Sequence, residues 1–244
     1  MTSQPHPAAP ATGEAPVKSQ FVNFAFFKID PAWRRLPEGE RAKGKQELSA
    51  AIDAFKGRMQ CLTYSTIGIR ADSDFMLWRI GYDLDALQES MAKVLSTGVG
   101  RYCSLTYSYF SMTKRSVYVD KHEHPGQDGK RLKIVPGEEK FLFIYPFIKL
   151  RSWFSLPQDE RQKMMDEHIA VGHKFPKVKI NTTYSFGLDD QEFVLAFESP
   201  NCEDFLDLVM HLRGSQASRY TEQDIPSFTC VRRTVPELME LLGG

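Results

Sequence analysis

No stretch of the 244-residue chain approaches the run of about 18 apolar residues that spans a bilayer, and the N-terminus lacks the basic-then-apolar order of a secretory signal. No membrane span is therefore expected, and a cytoplasmic location is. Charge of one sign is missing too: 31 basic residues balance 31 acidic ones, so no field draws the chain to nucleic acid or an anionic membrane. Cysteine is scarce. Cys61, Cys103, Cys202 and Cys230 form no CxxC pair and none of the dense spacing of a disulfide scaffold, so reduced, mostly buried thiols are expected. Periodicity is absent from residues 1–18, which are rich in Pro, Ala, Thr and Gly and read as a disordered lead-in that gives His6 no function.

What is present is a globular composition, 42% apolar and 25% charged, and an internal repeat. Phe21, Trp33, Leu36, Pro37, Glu40 and Arg41 recur as Phe141, Trp153, Leu156, Pro157, Glu160 and Arg161 at a constant offset of 120. Tyr64-Ser65 with Gly68 recurs as Tyr184-Ser185 with Gly187, and Arg101-Tyr102 as Arg219-Tyr220, the offset drifting to 118. Each copy reads as an apolar strand, a helix opened by Leu-Pro-x-x-Glu-Arg, a strand pair, a second helix and a last strand. That order is the ferredoxin-like β-α-β-β-α-β unit. The fold class is thus α+β, two such units in tandem at 19–116 and 140–244, their sheets joined in one core with helices outside. The polar, Gly- and Pro-bearing residues 117–139 read as a long connector, a kind of segment that is commonly functional.

Residues shared by both copies serve the fold, so those found in one copy are better candidates for chemistry. The offset sets Tyr145 against Ala25 and His168 against Leu48. His168 shares a helix face with Met164, Met165, Val171 and Gly172. Such an imidazole is either a core histidine satisfied by a backbone carbonyl or an axial ligand to haem iron. His173 falls off that face and reads as solvated. His122 and His124 make a lone HxH on a polar loop, weak as a metal site. Asp189-Asp190 beside Gly187 fits a turn, and Tyr107, Tyr109 and Phe110 fit strand packing.

In order along the chain, Tyr145-Pro146-x-x-Lys149, Trp153-Phe154-x-Leu156-Pro157-x-x-Glu160-Arg161, Met164-Met165-x-Glu167-His168, Gly187-Leu188-Asp189-Asp190 and Ser218-Arg219-Tyr220 resemble the chlorite dismutase and coproheme decarboxylase superfamily over residues 20–235. The resemblance implies tandem ferredoxin-like haem proteins, commonly homopentamers, with His168 as the proximal iron ligand. It also implies a porphyrin pocket that Trp153, Ile180 and Ser218 help to line. Its coproheme decarboxylases carry a Tyr-Pro-Met-x-Lys stretch, here Tyr145-Pro146-Phe147-Ile148-Lys149 with Phe for Met. By that likeness Tyr145 is the radical residue, while Lys149 and Arg131, fourteen residues before Tyr145, hold propionates. The chlorite-degrading branch places an arginine seven residues before the glycine of the Gly-Leu-Asp-Asp turn, where this chain has Ile180. Other decarboxylases have Gln there, or a small apolar residue and a distal histidine from elsewhere. The implied activity is hydrogen peroxide-dependent decarboxylation of iron coproporphyrin III to haem b. In that reading the iron porphyrin is both substrate and cofactor. A haem b peroxidase or chlorite-degrading enzyme and a non-catalytic haem carrier or sensor stand as the alternatives.

Overall fold

The computed structural model describes residues 18–118 and 132–243, so residues 1–17, His122, His124 and Arg131 lie outside the described residues. The first half runs β1 (Phe21–Ile29), α1 (Glu38–Asp53), β2 (Met59–Ser65), β3 (Phe75–Gly81), α2 (Leu84–Leu95) and β4 (Cys103–Met112). The second runs β5 (Phe141–Lys149), α3 (Arg151–Ser155), α4 (Gln158–Gly172), β6 (Lys179–Tyr184), β7 (Phe193–Ser199), α5 (Cys202–Arg213), β8 (Thr221–Gln223) and β9 (Phe228–Arg232). A last helix, α6 (Val235–Leu241), was not foreseen from the sequence; Thr234 opens it with a capping box to Glu237. The β-α-β-β-α-β order holds in both halves. Pro37 and Pro157 stand one residue before the first helical residue of α1 and α4.

The strands follow the order β7-β6-β4-β1-β3-β2-β9-β5-β8, and β7 also pairs with β5, so the sheet closes on itself with β8 outside the ring. Strand pairs are antiparallel throughout. The two halves meet edge to edge at Met112 opposite Tyr184, and at Tyr64 and Ser65 opposite Arg232 and Val231. Closure leaves both faces of the sheet covered, which is why β1 reads as a nearly continuous apolar run. Val22, Phe24 and Phe26 point into the barrel with Tyr64, Trp78, Tyr109, Leu142, Ile144 and Phe228. Ala25, Phe27 and Ile29 point outward under the helices with Trp33, Leu48 and Leu77. The end of the chain folds back over the first half, where Leu238, Met239 and Leu242 join that same outer core.

Residues 132–139 of the connector are pinned to the barrel. Ile134 is buried in its core, Gly137 N–H donates to Glu198 Oε2 at 2.6 Å, and Thr113 Oγ1 donates to Leu132 O at 2.8 Å. Asp189 is structural, as expected: its Oδ2 accepts from Phe110 N at 2.7 Å, beside Gly187 at φ 70. The expectation of mostly buried thiols needs correction. All four cysteines are free, but only Cys230 is fully buried, and Cys202 is exposed because it opens the first turn of α5 at the rim of a cleft.

Candidate functional site

The outer face of the second-half sheet differs from that of the first in how its helix sits. α1 buries Gly44, Leu48, Ala51 and Ile52, whereas α4 buries no residue. Gly44 supplies the reason. A Cβ there would lie 2.8 Å from Trp33 Cη2, so α1 can rest on the indole only because it has no side chain at that point. By the offset of 120 the counterpart of Gly44 is Met164, and that of Trp33 is Trp153. A long side chain at that position does not permit the close approach that Gly44 allows. On α4, His168 stands at the position of the fully buried Leu48.

The His168 ring is half-buried, its Nδ1 is sealed from solvent, and it makes no hydrogen bond to a described residue. A satisfied core histidine would show such a bond, most simply to a backbone carbonyl. Burial first, and then the charge of Lys149, pull its pKa down to about 4 against the opposing charge of Glu167. The imidazole is therefore neutral at pH 7, the form that ligates a metal. His173 is exposed.

β5 carries the other two central candidates. Tyr145 and Lys149 both point to the outer face, about 13 Å apart along the strand. Tyr145 belongs to the apolar cluster of Phe143, Phe197, Leu195, Ile180 and Leu208, and its ring stacks on Phe197 at 5.7 Å. Its hydroxyl makes no hydrogen bond to a described residue, and burial pushes the phenol pKa above its ordinary value. Pro146 can stand in mid-strand for a local reason. Phe147 O accepts from Glu192 N on the β7 side, so the missing N–H of Pro146 faces the other edge. There β5 changes partner from β9, last paired at Ile144, to β8, first paired at Ile148.

Lys149 is 8% exposed, and its ammonium donates to Ala217 O at 2.7 Å and sits 4.4 Å above the ring of Trp153, itself 2% exposed. Burial lowers its pKa to about 8, opposed by Glu192. The 3-10 turn Gln216–Tyr220 that supplies Ala217 is tied to α4 by Gln216 N–H donating to Glu167 Oε2 at 3.1 Å. The same turn holds Ser218, whose hydroxyl lies 2.8 Å from both Arg213 O and Ser215 O and so caps α5, with a lone pair still free to accept. Lys149, Trp153, His168 and the Ser218 turn thus form one neighbourhood. Ile180 is opposite Phe197 and points into the apolar wall, while Asn181, next to it, turns inward and donates to Glu198 Oε1 at 2.8 Å.

Three features were not found from the sequence. Leu195 and Thr182 share the row of Tyr145, a placement that follows from strand register. Tyr118 packs its ring 6.3 Å from Trp153 and accepts from Gln162 Nε2 through its backbone oxygen at 3.1 Å, bringing the connector to the site. Arg213 and Asp224, paired at 2.5 Å, line a cleft of about 330 Å³ with Tyr145, Phe143, Phe205 and Thr229.

The chlorite dismutase family model matches residues 31–233. The chain belongs to that family. It is 32% identical over 180 residues to the coproheme decarboxylase of Mycolicibacterium smegmatis, covering 73% of this chain and 75% of the relative. It is 29% identical over 203 residues to the chlorite dismutase of Ideonella dechloratans, covering 82% and 71%. A variant of the chlorite dismutase from Candidatus Nitrospira defluvii superposes with a TM-score of 0.84 at 23% identity, covering 92% of this chain and 95% of that one. The tandem ferredoxin-like barrel is therefore the chlorite dismutase fold.

Proposed function

We propose that the chain is a peroxide-dependent decarboxylase that converts iron coproporphyrin III to haem b. The observation that carries this reading is the pairing, on one face of β5, of a half-buried phenol at Tyr145 with a buried amine at Lys149, beside a neutral His168 whose Nδ1 has no partner among the described residues. A carrier needs the histidine but has no use for the phenol.

The residues fit an iron porphyrin. His168 would ligate the iron, and a metal would answer its lack of a hydrogen-bond partner. Lys149 would hold propionate carboxylates by charge-assisted hydrogen bonds, and the resemblance assigns Arg131 and Ser218 to the same rim. Ile180, Leu195 and Phe197 would wall the pocket and exclude water. When bound, the group supplies the one-electron oxidising power that peroxide delivers. Because burial keeps the Tyr145 phenol protonated, its electron and its proton leave together. The resulting phenoxyl oxygen recovers a hydrogen atom from the propionate β-carbon and restores Tyr145. Loss of one further electron and carbon dioxide leaves a vinyl group. Each propionate thus gives up two electrons, matched by one peroxide reduced to water.

The test is Tyr145→Phe, which keeps the ring and removes the O–H. Iron coproporphyrin binding is expected to be near wild type while peroxide-driven loss of carbon dioxide, followed by mass spectrometry, falls to almost nothing. Decarboxylation at the normal rate by this variant would overturn the assignment.

A further inference from the structure

The two halves end their first strand with the same device. Before β3, Asp74 N–H donates to Phe27 O, and Asp74 Oδ2 accepts from Ile29 N at 2.8 Å. Before β7, Glu192 N–H donates to Phe147 O, and Glu192 Oε2 accepts from Lys149 N at 2.9 Å. Phe27 and Ile29 correspond to Phe147 and Lys149 at the offset of 120, and Asp74 to Glu192 at 118.

The halves part at the second carboxylate oxygen. Asp74 Oδ1 takes the ammonium of Lys28 at 2.9 Å, a closed ion pair. In the second half the place of Lys28 belongs to Ile148, so no lysine reaches the carboxylate from there. Glu192 is 5% exposed, and its Oε1 is buried with no hydrogen bond to a described residue; Nη1 of the exposed Arg151 stands 3.7 Å away. The lysine comes one residue later, at Lys149, and one step along a strand turns a side chain to the opposite face. Its ammonium is thereby carried to Ala217 O and to the rings of Trp153 at 4.4 Å and Phe147 at 5.4 Å. From α4 the titratable group near it is His168, which is neutral at pH 7. The second half thus keeps both partners of an ion pair that the first half closes, and holds them apart.

We propose that Glu192 is a positioning residue for the propionate-holding lysine, fixing the backbone of Lys149 and supplying negative charge from the strand end while leaving the ammonium free for a porphyrin carboxylate. The inference rests on the reading of Lys149 as a propionate anchor. Burial works to strip the amine of its proton, and Glu192 opposes that loss. A carboxylate bonded directly to the ammonium, as Asp74 is to Lys28, would fill the place that the propionate takes.

The apoprotein, labelled with 13C at lysine Cε and glutamate Cδ, is titrated by NMR, with Lys149→Met and Glu192→Gln identifying the two signals. Glu192→Gln keeps an oxygen for Lys149 N–H and removes the charge, so Lys149 should lose its proton at a pH lower by roughly one unit. Glu192→Asp, which keeps the charge and matches the first half, should titrate close to the wild type. Because Glu192→Gln risks not folding, the unmodified protein gives a second reading. There the Glu192 signal should show an inflection at the Lys149 midpoint, since the coupling of two charges is mutual. A Lys149 midpoint unmoved in Glu192→Gln, or lowered equally in Glu192→Asp, overturns the proposal, as does a Glu192 signal without that inflection. Lys149→Met that binds iron coproporphyrin as tightly as the wild type would instead overturn the reading of Lys149 as an anchor.

Discussion

Lys149 is an amine whose charge depends on what lies beside it. With its pKa lowered to about 8 by burial, it loses its proton as pH rises through 8, well below the ordinary lysine range. A carboxylate brought against it would raise that pKa again. Binding of iron coproporphyrin between pH 8 and 10 should therefore take up a proton, detected as a calorimetric enthalpy that varies with the ionisation enthalpy of the buffer. Lys149→Met should abolish the uptake; an uptake that persists would place the proton elsewhere. His168 has the opposite task, to stay neutral. Its folded pKa of about 4 lies below the ordinary value of 6.5, so its contribution to stability is complete above pH 6.5 and fades as pH falls toward 4. His168→Ala should flatten that part of the apoprotein pH–stability profile and remove the histidine-ligated ferric spectrum. Ile180, an apolar side chain in the pocket wall, has no donor for an oxyanion leaving the iron, so chlorite turnover should be negligible. Sustained oxygen release from chlorite would contradict this.

At the scale of the element, two helices with the same start signal have different relations to the sheet. α1 rests on Trp33 through Gly44, whereas α4, with Met164 at the corresponding position, buries none of its residues. Exchanging the residue tests the cause. Gly44→Met should overpack the first-half core and cost about 1–3 kcal/mol of stability, read as a lower urea midpoint. An unchanged midpoint would show that something else sets the helix height. The element order and the starts of α1 and α4 were legible from apolar periodicity and the Leu-Pro-x-x-Glu-Arg signals, because both act within one or two turns of chain. Of the candidate site, the difference between the copies pointed to Tyr145 and His168, and the family resemblance added Arg131, Lys149, Trp153, Ile180 and Ser218. Tyr118, Arg213 and Asp224 carry no local signal; Tyr118 comes to the site with the connector, and Asp224 with the β8–β9 turn, where it pairs with Arg213 at the end of α5.

At the scale of the whole molecule, the two halves share one barrel interior. Phe24, Trp78 and Tyr64 from the first half pack with Ile144 and Phe228 from the second, and Phe26 stacks on Phe228 at 4.0 Å. Neither half can bury these residues alone. Thermal unfolding should be one transition, coincident by far-UV circular dichroism and by tryptophan fluorescence. Residues 18–116 expressed alone should fail to give a cooperative melt. A fragment that melts cooperatively would show that the halves are separable units.

The repeat, the order of strands and helices, and the residues that set one copy apart from the other were all determined by the sequence itself. Each is a comparison between segments at a fixed offset and needs no knowledge of packing. Only the tertiary structure decided that the sheet closes through the seams at β4–β6 and β2–β9, and that α6 returns to the first-half core. It alone separated Ile180 from Asn181, since neighbouring residues on a strand face opposite sides and the register decides which side is the pocket. It also showed Arg79 buried, with no carboxylate of a described residue paired with it. A sequence shows that a guanidinium is present, but burial and the absence of a facing carboxylate are properties of three-dimensional neighbours.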